Sequence, residues 1–357
     1  LTVSQRAAAV RAFRRDDITE VAALRARVFQ QRERATPDES ARYFESLFFH
    51  NPWADETLPS LVHEDSRGGV IGFVGVIPRR MMFRGEPVRV AISTQMMVAP
   101  EHRGVAGYRL IRALLTGAHD LVLSDVANDV ARRVFEGFGG RRLVPYSVLW
   151  TLALRPAMYA VARIAPRLVA RAVRPLCAAA DTVAALRPSR RDTLAGRVEP
   201  LDVGTILAHL ERTVHRYALR PVYDDGSLPW LLAQARDKRQ FGELEHVLLR
   251  DAADDVTGWF LYYANPGGVS HVAQLAAVRG AEALVLDHLA RHAWRRGSTA
   301  VSGRLEPALL LPLAERRAEL TPGPSVLVHT RRRDILDAIH RGDAFLSRLD
   351  GEWWVSF

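Results

Sequence analysis

The sequence predicts an α/β (α+β) protein of two similar domains, and three observations lead there. The chain has 357 residues, too many for one ordinary domain, and 48% of them are apolar, enough for packed cores. Short β-branched runs alternate with segments whose apolar residues recur at helical spacing, and this alternation passes through the chain twice. One stretch, Val88 to Leu121, runs from a strand through a Gly-bearing basic loop into a helix. A turn of that kind points free backbone N–H groups and the positive end of a helix dipole at one spot, which favours phosphate.

Taken in order, Val10 to Arg14 alternates like a strand. Asp16, Asp17 and Glu20 then place carboxylates at the start of a helix carrying Val21, Leu24 and Val28. Asp38 to His50 reads as a second amphipathic helix with Tyr43, Phe44, Leu47 and Phe48 as its stripe. Leu58 to Glu64 and Val70 to Phe83 are strands joined by the turn-rich 65–69. After the turn 84–87, Ile92 to Val98 is a central strand that Pro100 stops. Beyond the loop 101–107, Leu110, Ile111, Leu114 and Leu115 recur at helical spacing. Leu121 to Val126 is a buried strand, Asn128 to Phe138 a helix, and Arg142 to Leu154 a strand that closes the first domain, 1–154.

Residues 155–195 form an Arg-rich helical linker. Arg163, Arg167, Arg171 and Arg174 share one face, while Ile164, Leu168, Val169 and Val173 line others. A basic amphipathic helix can lie on anionic lipid or dock an acidic partner such as an acyl carrier protein; the plainer expectation is a linker whose apolar side packs on the two domains. The second domain, 196–357, repeats the order. It has a strand near Arg197, a helix from Val203 to Tyr217 and a capped helix from Ser227 to Lys238. Strands follow at Glu245 to Arg250, Val256 to Tyr263 and Val269 to Val278, then a helix Glu282 to Arg295, a strand near Thr299 to Gly303, a helix from Ala308 to Leu320 and a closing strand Ser325 to His329.

Over residues 8 to 154 the order of elements resembles the GNAT family (Gcn5-related N-acetyltransferases). In that family a strand ending in V-x-P precedes an acyl-CoA loop R-G-x-G-x-G or A. Here Val98-Ala99-Pro100 precedes Arg103-Gly104, Ala106 holds the first later small position, Gly107 lies one position early and Tyr108 replaces the second. Gly72-Phe73-Val74-Gly75 resembles the strand beside the acyl donor. Asn128, Ala131 and Glu136 fit the pattern N-x-x-A followed by Y-E, with Phe135 where many members carry a tyrosine that acts as general acid.

The resemblance implies two GNAT-like domains, each with a mixed, mostly antiparallel central sheet flanked by helices. It implies acetyl-CoA or another acyl-CoA as co-substrate in the first. The donor would be held by the backbone of Met97 and Val98, by N–H groups of Arg103, Gly104, Val105, Ala106, Gly107 and Tyr108, by the charge of Arg103, and by Asn128. In the second domain Val278-Arg279-Gly280-Ala281-Glu282 is short and carries an acid where phosphate would lie, so that copy is expected to be degenerate.

The chemistry implied is attack of an amine, on a small metabolite or sugar, on a thioester. An alkylammonium must first lose a proton. Asp125, at the end of the strand beside the donor loop, is the expected base, with His63, Glu64 and Asp65 as further candidates. Phe48, Phe49, Trp53 and Tyr146 are candidates for the acceptor pocket, and the carboxylate of Phe357 is a second candidate base, since some tandem members of the family use the chain terminus. Two other readings stand beside this one: a Fem-type transferase taking aminoacyl groups from tRNA, and a non-catalytic CoA-binding protein.

The formal charge is +9, and nearly all basic residues are arginine, Lys238 being the one lysine. Arginine scattered along the whole chain attracts anionic ligands without the clustered signature of a nucleic-acid binder, so nucleic acid is not the expected partner. The single cysteine, Cys177, excludes a disulfide framework, and His288 with His292, four apart on a basic helix with Asp287 adjacent, reads as a surface pair, so no metal site is expected. With no run of eighteen apolar residues, a cytoplasmic location is expected.

Overall fold

A computed structural model describes residues 9–29, 36–185 and 194–355. The elements follow as β1 (Val10–Ala12), α1 (Ile18–Val28), α2 (Pro37–Phe44), β2 (Leu61–Glu64), β3 (Val70–Phe83), β4 (Glu86–Val98), α3 (Val105–Leu115), β5 (Leu121–Ala127), α4 (Asp129–Gly137), β6 (Arg141–Arg142) and β7 (Val148–Ala153). A helical hairpin of α5 (Pro156–Ile164) and α6 (Arg167–Ala185) comes next. The second half holds β8 (Arg197–Pro200), α7 (Val203–Ala208), α8 (Leu210–Thr213), β9 (Leu219–Pro221), α9 (Ser227–Arg236), β10 (Glu243–Arg250), β11 (Val256–Ala264), β12 (Val269–Ala277), α10 (Glu282–Arg295), β13 (Ala300–Arg304), α11 (Leu310–Glu315), β14 (Glu319–Pro322), β15 (Ser325–Thr330) and α12 (Arg333–His340).

Local chemistry accounts for the helix starts. Thr36 and Glu39 close a reciprocal capping box at α2, the Asn128 side chain accepts from the Ala131 N–H at α4, and Asp202 does the same for Thr205 at α7. The apolar face of α3 buries Leu110, Ile111, Leu114 and Leu115 on the sheet, worth about 2 kcal/mol for each side chain. Glycine lets that helix come close: a Cβ at Gly72 would lie 2.9 Å from Leu110 Cδ1.

Two mixed sheets result, as expected, with helices against them. One runs β1-β2-β3-β4-β5-β15-β6, with β9 beside β3; the other runs β14-β7-β13-β12-β11-β10-β8. Every neighbouring pair is antiparallel except β4 with β5 and β12 with β13. The exchange of strands corrects the expected boundary. β7, expected to close the first domain, pairs with β13 and β14 of the second sheet, and β15, expected to close the second, pairs with β5 and β6 of the first. Each is a short apolar strand that either sheet could seat, so its pattern names no partner. The halves also share a core, in which Trp53, Ile77 and Phe83 cluster with Leu231, Trp259 and Tyr263.

The expected helix at 203–217 is two short turns of helix, α7 and α8, and the end of the expected helix at 308–320 is the strand β14. The aromatic end segment is not a strand. Residues 344–355 thread between the sheets, with a short 3-10 turn at Arg348–Asp350, and Leu349, Trp354 and Val355 are buried.

Candidate active site

Because β4 and β5 pair only from Val90 to Ile92 with Leu121 to Leu123, the strands part beyond that register and open a cleft of about 340 Å³. Its walls come from Ser93 to Met96 of β4, from Ile111 and Leu114 of α3, and from Phe135 of α4. A bulge sits in the same place: opposite Phe73 to Gly75, β4 spends one extra residue between Thr94 and Met97. Gln95 there takes a left-handed φ of 49°, strained for a residue with a Cβ and typical of functional sites. The Gln95 Nε2 donates to the Tyr43 hydroxyl at 2.5 Å, and its Oε1 is buried with no hydrogen-bond partner.

Met97 and Val98 still pair with Phe73 and Gly72, so the other edge of β4 faces the gap. The loop then turns through Gly104, whose φ of 97° requires glycine, and α3 begins at Val105. The N–H groups of Val105, Ala106 and Gly107 fall in the first turn and have no carbonyl within the helix. Arg103, Gly104 and Val105 are exposed at that positive helix end. Gly107 permits close packing, since a Cβ there would lie 3.2 Å from Met96 Cε. The residue expected to disturb the loop does so differently. The Tyr108 N–H is spent on the Gly104 carbonyl at 2.9 Å, which removes it from the expected set of phosphate donors, and its ring leans on Phe138 with centroids 4.7 Å apart. Asn128 lies at the cleft edge, with its Oδ1 engaged as the cap of α4.

The structure moves the carboxylate chemistry by one contact. Asp125 is buried and does not line the cleft. Its Oδ2 accepts from Arg304 Nη1 at 2.6 Å and its Oδ1 from the Glu352 N–H at 2.7 Å. The carboxylate that lines the cleft is Glu352. Its Oε1 accepts from the Ser124 hydroxyl at 2.7 Å and from the N–H groups of Asp125 and Val126, each at 3.2 Å, while Oε2 takes none of these bonds. Burial, and then the charge of Asp125 beside it, push the Glu352 carboxyl up to about 7. Gly351 makes the approach possible, because a Cβ there would collide with the Asp125 carboxylate.

The other expected groups are placed elsewhere. Glu64 is ion-paired with Arg11, Asp65 accepts from Arg67 and Gly69 in its turn, and His63 is buried with burial and Arg109 holding its ring below the usual histidine range. Phe48 stacks on Phe44, Phe49 lies against Phe13, Trp53 lies under Arg79 and against Trp230, and Tyr146 is buried with its hydroxyl on the Ala344 carbonyl. Trp53 and Tyr146 are core, whereas Phe48 and Phe49 are half-buried and line a separate cavity with Phe13, Leu58 and Val76. Phe357 lies outside the described residues. His288 bonds the Ala195 carbonyl and His292 the Tyr262 hydroxyl; among the described residues no group of three or more His, Cys, Asp or Glu could hold a metal ion.

Sequence reasoning missed Glu352 and Arg304. The one signal was an acid, Glu352, inside an aromatic terminal segment that has to be buried; nothing local says which cleft it reaches.

A splayed parallel strand pair, a bulge beside it and a glycine-bearing loop into a helix define a fold of the GNAT type. Residues 9–124 match the model "Acetyltransferase (GNAT) domain", and the chain carries a domain of that family there. A comparison with curated proteins found no match. Among solved structures, a probable N-acyltransferase of Enterococcus faecalis is similar at a TM-score of 0.60 and 13% identity, covering 91% of this chain and 73% of that one. A GCN5-related N-acetyltransferase from Anabaena variabilis gives 0.59 and 13% over 91% and 73%, and one from Kribbella flavida gives 0.54 and 16% over 92% and 72%. At such identities the likeness is one of fold. It extends over both halves of the chain, beyond the matched domain.

Proposed function

We propose that the protein is an acyl-CoA-dependent N-acyltransferase that acylates an amine on a small metabolite or sugar, with Glu352 as the base. The carrying observation is a cleft between the parted strands that a buried carboxyl poised near neutrality lines, walled by a helix, α3, whose exposed start favours phosphate. An acyl-CoA, acetyl-CoA being the simplest, supplies the thioester. Its fit rests on the first-turn N–H groups of α3, the left-handed Gly104, the exposed Arg103 and the open edge of β4 past Ile92.

Glu352 would take the proton that an alkylammonium must lose. With its carboxyl raised to about 7, it is a stronger base than an ordinary glutamate and is still about half ionised at neutral pH. The amine nitrogen then forms its bond to the acyl carbon and sheds its second proton to solvent, the C–S bond breaks, and the thiol leaves as thiolate to be protonated from solvent. Phe135, buried in the wall, supplies no acid for that last step. Asp125 holds Glu352 by its backbone N–H, and Arg304 neutralises Asp125, so the expected base becomes a positioning residue.

Calorimetry with acetyl-CoA and a thiol-release assay with a panel of primary amines test this reading. Binding with amine-dependent release, lost in Glu352→Gln while binding persists, is the expected outcome. Binding without release favours a CoA-binding protein. Failure to bind any acyl-CoA refutes the donor site.

A further inference from the structure

The helical hairpin 156–185 leaves an apolar stripe in solvent. On α6, Leu168, Ala172, Leu176, Ala179 and Val183 follow one another at spacings of four, four, three and four, which places them on one face. None is covered: Leu168 is 83% exposed, Leu176 73% and Val183 65%, and Ile164 at the end of α5 is 80% exposed. The plainer expectation, that this side packs on the two domains, does not hold. The side of α6 that does pack carries Val173, Cys177 and Asp181. An unpartnered apolar row beside the hairpin tip marks a binding surface.

Charge says what it faces. Residues 155–185 hold five arginines and one acid, Asp181, and that acid is consumed, accepting from the N–H groups of Ala157 and Met158 at 2.9 Å each. Arg163 is paired with Glu319, and Arg155 donates to the Ser298 and Trp294 carbonyls. Arg171 is exposed and flanks the stripe, and among the described residues no ion pair engages it; Arg174 lies on the far side of α6, against the turn at Gly267. A second copy is the poorer occupant. A helix of 19 residues is about 28 Å long and offers roughly 300 Å² along one side, against the roughly 800 Å² per partner of a stable interface. A lipid surface asks for no such area; an apolar face set into the headgroup region and arginines beside it suffice.

We propose that the α5–α6 hairpin docks the protein on an anionic phospholipid surface, with the Ile164–Leu168 tip and the Leu168-to-Val183 stripe in the headgroup layer and Arg171 against lipid phosphate. The probe is sedimentation with vesicles of equimolar phosphatidylcholine and phosphatidylglycerol, beside vesicles of phosphatidylcholine alone. The wild-type chain should partition roughly fivefold more strongly to the anionic vesicles, the effect of one arginine near such a surface. Leu168→Glu with Leu176→Glu should abolish binding, and Arg171→Glu should remove the preference. These side chains touch no core, so unchanged melting temperatures will show that the variants fold. Equal binding to both vesicle types overturns the proposal, as does binding to neither. So does a dimer in light scattering that Leu176→Glu dissociates without vesicle binding, which would make the stripe a contact between copies. Acylation activity is not part of the readout, so this test stands apart from that of the proposed reaction.

Discussion

The two halves contain the same device and use it oppositely. In the first, β4 and β5 part after three paired positions and leave a cleft; in the second, β12 and β13 part after three as well, from Val269 to His271 with Ala300 to Ser302, and the chain fills the gap itself. Arg348 donates to the Val272 carbonyl there, and Gln274 donates to Tyr223 and Ser347 while accepting from Trp259. The helix starts diverge in step. Gly104 with φ 97° opens α3 onto solvent, whereas behind Gly280, with φ 87°, the first residue of α10 is Glu282, ion-paired with Arg216 at 2.7 Å. A carboxylate already at a helix N-terminus takes the place an incoming phosphate would need. What separates an open cleft from a filled gap here is the residues at the helix start and a length of terminal chain.

The halves meet at one pair. Asp125 and Arg304 each stand two residues beyond the last parallel register of their strand, so they occupy matching places and bond to each other. The second half thereby supports the carboxylate of the first.

Several substitutions break this comparison, in order of expected effect. Glu352→Gln should lower amine-dependent thiol release by about a hundredfold to ten-thousandfold, the range for losing a general base, and leave acetyl-CoA affinity in calorimetry intact. Arg304→Met leaves the Asp125 charge buried without its partner and should cost about 3–5 kcal/mol of stability by urea unfolding. Gly104→Val should weaken acetyl-CoA binding by about 1–3 kcal/mol, because the left-handed turn no longer forms without strain. Gly280→Val, the same change in the second half, should leave that affinity unaltered; a matching loss would mean the second half also binds donor. Asp125→Asn has the smallest effect on activity at high pH. It removes the negative neighbour that helps raise the Glu352 carboxyl, so the pH midpoint of the rate should fall.

The raised carboxyl also sets a stability test. Glu352 ionises near 7 when folded and near 4.5 when unfolded, so between these values the folded state holds the extra proton and stability declines as pH rises. Glu352→Gln should therefore melt higher than the wild type at about pH 8, with the gap closing below about pH 4.5.

Much of the fold was legible because it is written in local patterns. The helical spacing of Leu110 to Leu115, the helix beginning at Asn128 and the turn glycine at Gly104 each stand where the sequence puts them. The exchange of β7 and β15 was not, since Val148–Ala153 and Ser325–Thr330 are equally good apolar strands and only tertiary packing assigns them. The site divides the same way. Its loop is contiguous and was readable, whereas Glu352 reaches the cleft from 227 residues beyond Asp125, through a buried segment whose course no local pattern encodes. Asp125 was picked for standing at the end of β5; that position places it one hydrogen bond from the carboxylate that lines the cleft.

The most direct measurement is the pH dependence of amine-dependent thiol release, made on the wild type and on Glu352→Gln with acetyl-CoA saturating. The expected result is a wild-type rate rising through a midpoint of about 7, and a variant whose residual rate lacks that midpoint. A Glu352→Gln enzyme with the full rate and the same profile would contradict the assignment of Glu352 as the base.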